Sequence, residues 1–276
     1  MKIAHIVHGY APAVGGTEFL FQQISERLVS QFGDSVSVLT TTAYNSGMFV
    51  DPGQPSMPPC KDEVVNGVSV SRYPVNNRIA PLISGLQQKA FESNWPVNDV
   101  LRTLYHGPIS LPMFRAVLGL RADVVAASAF PLLHMYYAAL GKYFNRVPLV
   151  LYGALHPGQR WSFDRPIIYQ AIAASDLYIA YTTFERDFVV GEGISPDKVF
   201  VASPGVDVSL FQEADRARLR QELGWTDRPV VGFVGQQSAH KGIDTLYRAM
   251  RLVWRELPEA RLLVAGGRTA YSTYLD

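Results

Sequence analysis

The chain begins with an apolar run that leads into a glycine-rich loop and then into an amphipathic segment. The run spans Lys2 to His8, and the loop after it spans Gly9 to Gly16. Thr17 is placed to cap a helix, and Gly33 is placed to end it. Val36 to Thr41 forms a second apolar run. Strand, helix and strand in this order form a βαβ unit, which commits the chain to a parallel sheet covered by helices.

Further strand-like segments continue this pattern, and helix-compatible sequence separates most of them. They are Val68 to Tyr73, Asp123 to Ala127, Pro148 to Tyr152, Leu177 to Ala180 and Val199 to Ala202. Helical periodicity interrupted by prolines runs from Ile79 to Leu120, and a long loop rich in Gly, Pro, Ser and Asn runs from Tyr44 to Pro59. We therefore predict an α/β protein with a doubly wound parallel sheet.

A second βαβ unit follows a polar linker near the end of the sequence. Its strand, helix and strand are predicted at Val230 to Val234, Ile243 to Glu256 and Arg261 to Ala265. We predict an N-terminal Rossmann-like domain at residues 1–224 and the first βαβ unit of a second, incomplete Rossmann-like domain at residues 225–276. The short second sheet would present an unprotected edge, so we expect either pairing with a second copy in a homodimer or disorder of the segment after about Gly267.

Composition limits the classes of ligand. Hydrophobic residues make up 48% and charged residues 18% of the 276 residues, which is the balance of a packed globular protein. The formal net charge is +1 and the cations are scattered, which argues against a nucleic-acid partner. Cys60 is the only cysteine, and no run approaches the roughly twenty apolar residues of a membrane-spanning helix. We expect a cytoplasmic protein with small-molecule ligands.

Two loops at predicted strand ends have the composition of phosphate-binding sites. The first contains Gly15 and Gly16 just before a helix, and the second contains Lys241 between Gly235 and Gly242. A helix N-terminus carries unpaired backbone N–H groups and a partial positive charge, and ligands of open α/β sheets bind at the carboxyl ends of the strands. We therefore expect an anion, most simply a phosphate group, at these loops.

A nucleotide-dependent oxidoreductase or epimerase is an alternative with the same kind of fold. The dinucleotide-binding fingerprint is Gly-x-Gly-x-x-Gly, whereas the first loop here reads Gly-x5-Gly-Gly. The second predicted strand runs into Thr40, Thr41 and Thr42, without the acidic residue that would hold a ribose. The sequence therefore argues against binding of a dinucleotide cofactor at the two phosphate-binding loops.

Three motifs, in this order, resemble those of the retaining glycosyltransferases of family 4. "GYAPAVGGTE" resembles the family's Pro-x-x-Gly-Gly-x-Glu loop, "SPGVDVSLF" its Asn-Gly-Val-Asp turn, and "FVGQQSAHKGIDTLYRA" its Gly-Arg…Lys-Gly loop. The resemblance extends from the first strand to about Gly267 and implies the GT-B architecture, two Rossmann-like domains facing a cleft. It implies transfer of a sugar from a UDP- or GDP-sugar donor, with no cofactor. The chain has no Asp-x-Asp motif, which fits a metal-independent reaction.

The resemblance also assigns roles to individual residues. It places the donor diphosphate at the backbone of Gly15 and Gly16, at Gln236 and at Lys241, where the lysine would stabilise charge on the leaving group. His156, in "LYGALHPGQRW", matches the family histidine that faces the transferred sugar. His156 and Lys241 are therefore the candidate catalytic residues. We expect Gly16 and His156 on one rim of the first sheet, facing the Lys241 loop across a cleft.

Two departures from the family pattern bear on activity. Gln236 stands where the family usually has arginine, which removes a positive charge and a bidentate donor. The family's glutamate pair, which holds the donor sugar and ribose, would lie beyond these 276 residues, so we expect an incomplete enzyme with little or no transfer activity by itself. The acceptor, whether a saccharide, a lipid-linked molecule or a small molecule, is not defined by the sequence. A lipid-linked acceptor would bring the protein to the inner face of the membrane.

Each assigned residue also has a purely structural interpretation. Gly15 and Gly16 suit a tight turn, Lys241 suits a solvated helix start, and His156 suits a buried, hydrogen-bonded histidine. A non-catalytic nucleotide- or phosphate-binding module is a separate alternative, because the segment with the family's glutamate pair would lie beyond these residues.

Overall fold

Eight strands form one sheet in the computed structural model, which describes residues 1–212 and 214–273. The strands are β1 (Lys2–Val7), β2 (Ser35–Thr41), β3 (Cys60–Val65), β4 (Val68–Tyr73), β5 (Val124–Ser128), β6 (Leu149–Tyr152), β7 (Leu177–Ala180) and β8 (Val199–Val201). Their order across the sheet is β3-β4-β2-β1-β5-β6-β7-β8, and neighbours run parallel except β3 and β4. The predicted α/β fold with a doubly wound parallel sheet is confirmed, with one antiparallel strand at an edge.

Helices connect the strands and cover both faces of this sheet. They are α1 (Gly16–Phe32), α2 (Ala80–Glu92), α3 (Asn98–His106), α4 (Leu111–Leu118), α5 (His134–Asn145), α6 (Pro166–Ala174) and α7 (Thr183–Gly191). Phe21 of α1 packs in one hydrophobic cluster, whereas Met113 of α4 and Met135 of α5 pack in another. The region from Ile79 to Leu120, for which the sequence predicted helices interrupted by prolines, forms the three helices α2, α3 and α4 between β4 and β5.

The sequence of β1 explains why both faces of the sheet are buried. Ala4 and Ile6 belong to one hydrophobic cluster, and Ile3 and Val7 belong to the other. Successive side chains of a strand point to opposite faces, so a strand that is apolar throughout contributes to two cores. β1 therefore lies at the centre of this part of the molecule.

The strands that follow β1 in the chain are added first on one side of it and then on the other. β2 and β4 lie on one side of β1, and β5 to β8 lie on the other. In doubly wound sheets, a crevice forms outside the carboxyl ends of the strands at such a switch point. The loop that follows β1 starts there.

The structure corrects several local predictions. Thr17 does not cap α1, because the helix already begins at Gly16 and Gly15 occupies the N-cap position. Gly33 ends the helix as predicted, in the left-handed region with φ 69°. The predicted loop from residue 44 to residue 59 includes a 3₁₀ helix at Ser46–Phe49, whose Met48 and Phe49 side chains are buried.

Strand β3 was not predicted from the sequence. Most of its side chains are exposed, and Val64 is 72% exposed. An exposed edge strand has no apolar alternation to reveal it, so its position depends on backbone pairing with β4.

The second part of the chain has its own small parallel sheet. Its elements are β9 (Val230–Val234), β10 (Arg261–Ala265), α8 (Ser209–Gln212), α9 (Arg216–Glu222), α10 (Ile243–Glu256) and α11 (Ala270–Thr273). β9 and β10 pair in parallel, and α10 buries Ile243 and Met250. The predicted second βαβ unit is therefore present at the predicted positions. Pairing of its sheet with a second copy stays a prediction.

The chain divides after Gly205, and not after residue 224 as the sequence suggested. The two compact units are Met1–Gly205 and Val206–Asp276. The guanidinium of Arg220, in α9, donates to the carbonyl oxygen of Arg228 just before β9 (3.0 Å). The charged helix α9 therefore belongs with the second unit. Among the described residues, the structure has no helix that is long and apolar enough to cross a bilayer.

Candidate functional site

The glycine-rich loop after β1 leaves the start of α1 without a cap. Gly15, the N-cap residue, has extended backbone and no side chain that could cap the first turn. The first helical hydrogen bond runs from the backbone N–H of Phe19 to the carbonyl of Gly15 (3.0 Å). The N–H groups of Gly16 and Thr17 therefore have no backbone acceptor within the helix, whereas the N–H of Glu18 interacts with the carboxylate of the same residue. Together with the partial positive charge of a 17-residue helix, they suit an anion.

The two adjacent glycines of this loop have different surroundings. A Cβ on Gly15 would overlap the carboxylate of Glu18, so the packing of the protein itself requires glycine there. A Cβ on Gly16 would meet no atom within 4 Å, and Gly16 is exposed. Internal packing therefore does not explain glycine at position 16, whereas close approach of a ligand to the backbone would.

Glu18 lies beneath the loop as a buried carboxylate paired with His8. Its Oε1 is 3.0 Å from Nε2 of His8, and both residues are buried. Burial by itself would raise the pKa of Glu18, but the hydrogen bond and charge of His8 lower that pKa below its usual value. The ionised carboxylate therefore holds the loop against α1. The sequence motif contained Glu18, but no role for it followed from the sequence.

His156 lies in the loop after β6 with its side chain exposed. Its ring contacts the ring of Phe163 edge to face, with the centroids 4.6 Å apart. Exposure excludes the interpretation of His156 as a buried, internally bonded histidine. Two residues earlier, Ala154 has a φ of 92°, a conformation that costs a non-glycine residue about 1–3 kcal/mol. Such strain persists only where neighbouring groups hold the backbone in place.

Glu185 of α7 provides that restraint. Its carboxylate accepts hydrogen bonds from the backbone N–H groups of Ala154 and Leu155, each at 3.0 Å. No role for Glu185 was predicted from the sequence. Its signal is the pattern Thr182-x-x-Glu185, which marks a helix start, and Thr182 does accept a hydrogen bond from the backbone N–H of Glu185 (3.1 Å).

The loops of Gly16 and His156 share one edge of the first sheet. They follow β1 and β6, which both run parallel to the intervening strand β5. Parallel strands present their carboxyl ends at the same edge. The fold therefore brings an uncapped helix start and an exposed imidazole to the edge where doubly wound proteins bind ligands.

Gln236 and Lys241 share the loop after β9 in the second unit. Both side chains are exposed, and Lys241 ends a 3₁₀ helix at Ala239–Lys241 just before α10. No side chain caps the first turn of α10. Next to Lys241, Nδ1 of His240 pairs with Oγ of Ser238 (3.0 Å). The loop therefore presents a lysine and a second uncapped helix start, while His240 contacts its own loop.

His5 and His134 are buried and His106 is half-buried, so all three differ from the exposed His156. Burial lowers the pKa of His5 to about 4 and that of His134 to about 3. Burial, assisted by the charges of neighbouring arginines, lowers the pKa of His106 to about 4. These side chains are therefore neutral at pH 7.

Comparison with known families defines what kind of protein has this arrangement. The model of Glycosyltransferase Family 4 matches residues 14–210, and the model of Glycosyl transferases group 1 matches residues 215–275. The chain belongs to glycosyltransferase family 4. In this family member, the first match begins within the glycine-rich loop of α1, and the second contains the loop of Lys241.

Curated relatives of this family member match it over a limited stretch. D-inositol 3-phosphate glycosyltransferase of Segniliparus rotundus is 40% identical over 99 residues, which are 35% of this chain and 22% of the relative. The protein of the same name from Rhodococcus jostii is 39% identical over 102 residues, 36% of this chain and 23% of the relative. The matched stretch thus spans less than a quarter of each relative.

Solved structures extend the similarity of fold along the chain. HepE of Anabaena, solved in complex with UDP and glucose, has a TM-score of 0.57 at 17% identity. The match covers 99% of this chain and 63% of the HepE chain. Trehalose 6-phosphate synthase of Burkholderia multivorans also has a TM-score of 0.57, at 16% identity. That match covers 100% of this chain and 67% of the synthase chain. At these identities the comparison shows the fold, which is that of the predicted GT-B class.

Proposed function

We propose that this protein transfers a sugar from a nucleotide diphosphate donor to an acceptor hydroxyl group. The observation that carries the proposal is the exposed, uncapped start of α1 at Gly16, on the sheet edge that also presents His156, in a chain of family 4. The Anabaena protein with a similar fold was solved with UDP-glucose, which supports a donor of this class. The acceptor does not follow from relatives that match about a third of the chain.

The donor diphosphate is assigned to the two uncapped helix starts and to Lys241. During transfer, the bond between the anomeric carbon and the diphosphate oxygen breaks, and its electron pair stays on the diphosphate. Backbone N–H groups at Gly15 and Gly16 and the ammonium group of Lys241 would stabilise that growing charge more strongly than the charge of the intact donor. Gln236 adds an uncharged donor where the family usually has arginine.

His156 is assigned to the transferred sugar. The imidazole is exposed and would form a hydrogen bond with a sugar hydroxyl group, which fixes the anomeric carbon beside the acceptor. The acceptor oxygen bonds to the anomeric carbon, and its proton passes to the departing diphosphate. We propose retention of configuration, so the acceptor approaches from the face that the diphosphate leaves.

Binding to nucleotides tests this function directly. Calorimetric titration of the protein with UDP, GDP, their glucose conjugates and NAD should show preference for a UDP or GDP compound. Lys241→Ala should weaken that binding at least tenfold, because a hydrogen bond to a charged group contributes about 1.5–3 kcal/mol. His240→Ala is the matched control and should change the affinity less than twofold.

Two outcomes would contradict the proposal. Preference for NAD would indicate the oxidoreductase alternative. Equal losses in the Lys241 and His240 variants would show that the loop fold, and not the lysine charge, controls binding. Saturable binding with no release of UDP or GDP and no transfer, even when the chain is extended with the family segment that carries the glutamate pair, would favour a non-catalytic module.

A further inference from the structure

Glu185 is a buried carboxylate whose hydrogen bonds are mostly to backbone. Its Oε1 accepts from the N–H groups of Ala154 and Leu155 (3.0 Å each) and from the hydroxyl of Tyr178 (2.6 Å). Its Oε2 accepts from the N–H of Tyr181 (2.8 Å). Among the described residues, no ion pair of Glu185 appears, so these four donors stabilise its charge. Glu185 is 4% exposed, which makes each of the four bonds hard to replace with water.

Two of these bonds act on the strained part of the loop that carries His156. We use "His156 loop" for residues 153–165. Ala154 has a φ of 92°, and the N–H groups on both sides of its Cα, its own and that of Leu155, bond the same carboxylate. The side chain of Leu155 is buried in the core. At Gly153, a Cβ would overlap Oε1 of Glu185. The direction in which the chain leaves β6 is therefore set by this carboxylate.

The other end of the His156 loop is held by buried guanidinium groups. Arg102 of α3 donates to the carbonyl oxygens of Arg160 (2.7 Å) and Trp161 (2.9 Å). Arg165, whose side chain is fully buried, donates to the carbonyl oxygen of Ser162 (2.8 Å). An anion at one end and cations at the other thus restrain the backbone on both sides of an exposed side chain.

We propose that Glu185 is a positioning residue, which fixes the imidazole of His156 for contact with the transferred sugar by holding Ala154 in its strained conformation. This inference rests on the proposed function, since that function gives His156 its contact with the sugar. Glu185 does not reach the sugar itself, because its carboxylate oxygens are bonded inside the protein. Preorganisation of this kind places a reacting group without movement during the reaction.

Glu185→Gln tests the proposal because it keeps the size of the side chain. The amide oxygen takes the place of Oε1, so the bonds from Ala154 and Leu155 are weakened by the loss of the negative charge. The NH2 group takes the place of Oε2 and faces the N–H of Tyr181, so that bond is lost. We expect amide hydrogen exchange at Ala154 and Leu155 to accelerate at least tenfold. The ring-current shift that Phe163 gives to the ring protons of His156 should decrease in NMR spectra. In a chain extended with the family segment that carries the glutamate pair, donor turnover should fall about tenfold, with KM within a factor of two.

Two further variants separate positioning from general stability. Tyr178→Phe removes one hydrogen bond to Glu185 and none from the His156 loop, so exchange at Ala154 and the ring-current shift should stay unchanged. Gly153→Ala places a Cβ against the carboxylate and should reproduce the effects of Glu185→Gln, which gives a second test if the Gln variant does not fold. Adding Ala154→Gly to Glu185→Gln should restore at least half of the lost turnover, since glycine adopts this φ without strain.

The results separate failure of this inference from failure of the proposed function. The inference is overturned if Glu185→Gln and Tyr178→Phe accelerate amide exchange at Ala154 equally. It is also overturned if Ala154→Gly changes turnover by the same factor with and without Glu185→Gln, so that the two effects are additive. The proposed function fails if the unmodified protein prefers NAD to UDP and GDP compounds, and the exchange and ring-current measurements still decide the role of Glu185.

Discussion

Gly15 and Gly16 are adjacent, but their surroundings differ. Glu18 occupies the space that a side chain at position 15 would need, whereas the space around position 16 is open. A sequence motif that contains both glycines cannot show this difference, since a packing requirement and a ligand requirement select the same residue. The structure separates the two requirements, and substitution can test each one.

Gly16→Ala should therefore keep or increase stability while weakening nucleotide binding. Alanine at a helix position that tolerates it stabilises by about 0.5–1 kcal/mol, but its methyl group would project towards the expected diphosphate. Gly15→Ala should destabilise the protein, because the carboxylate of Glu18 must move. Urea unfolding and calorimetric titration of both variants check the prediction. A Gly16→Ala protein that binds UDP or GDP compounds normally would remove Gly16 from the site.

The buried histidines predict how stability depends on pH. The pKa values of His5 and His106 are lowered by burial from 6.5 to about 4, and that of His134 from 6.5 to about 3. Between about pH 6.5 and pH 4 the unfolded chain binds protons that the folded chain excludes. The free energy of unfolding should therefore decrease as pH falls, by about 1.4 kcal/mol per histidine per pH unit.

Urea unfolding at pH 7, 6, 5 and 4.5 measures this slope. His134→Asn should lower the slope by roughly one third, because one of three titrating groups is removed. A slope that does not change in this variant would show that other groups control the acid sensitivity. Below about pH 4, protonation of Glu18 adds to the loss, since its pKa is lowered in the folded protein.

At the scale of elements, α7 connects helix capping with the candidate site. Thr182 caps the helix by accepting a hydrogen bond from Glu185, and Glu185 in turn holds the His156 loop. Thr182→Ala should cost about 1 kcal/mol of stability and also accelerate exchange at Ala154. Chemical unfolding and amide hydrogen exchange measure the two effects.

The cap of α4 provides a matched control. Ser110 accepts a hydrogen bond from the backbone N–H of Met113 (3.3 Å), so Ser110→Ala also removes one helix cap. This variant should lose similar stability while exchange at Ala154 stays unchanged. If both variants loosen Ala154 equally, the His156 loop responds to overall stability and not to α7.

At the scale of the whole molecule, the position of the division predicts which fragment folds. All eight strands of the first sheet and the hydrophobic clusters around β1 lie within residues 1–205. A fragment of residues 1–205 should unfold cooperatively. A fragment of residues 1–224 should carry α9 without β9, so the amides of α9 should exchange rapidly. Strong protection of α9 in the longer fragment would support the boundary predicted from the sequence.

Much of this fold was predictable because its strands lie in the core. The apolar runs of β4, β7, β9 and β10 are bounded by polar or turn residues, so their limits were predicted without error. The edge strand β3 was missed, because an exposed strand is defined by its hydrogen-bonding partner and not by its own composition. The assignment of α9 failed for a similar reason, since a polar helix does not indicate which sheet it joins.

The sequence by itself determined the parallel α/β fold and indicated three loops of interest, those of Gly16, His156 and Lys241. These features are local, because a buried strand, a helix start and a turn each follow from residues close together in the chain. Only the tertiary structure showed that Glu185 supports Ala154 from a different element, and that Glu18 makes glycine necessary at position 15. Such contacts join side chains to backbone across long separations in sequence, and neither partner reveals the other until the sheet brings them together.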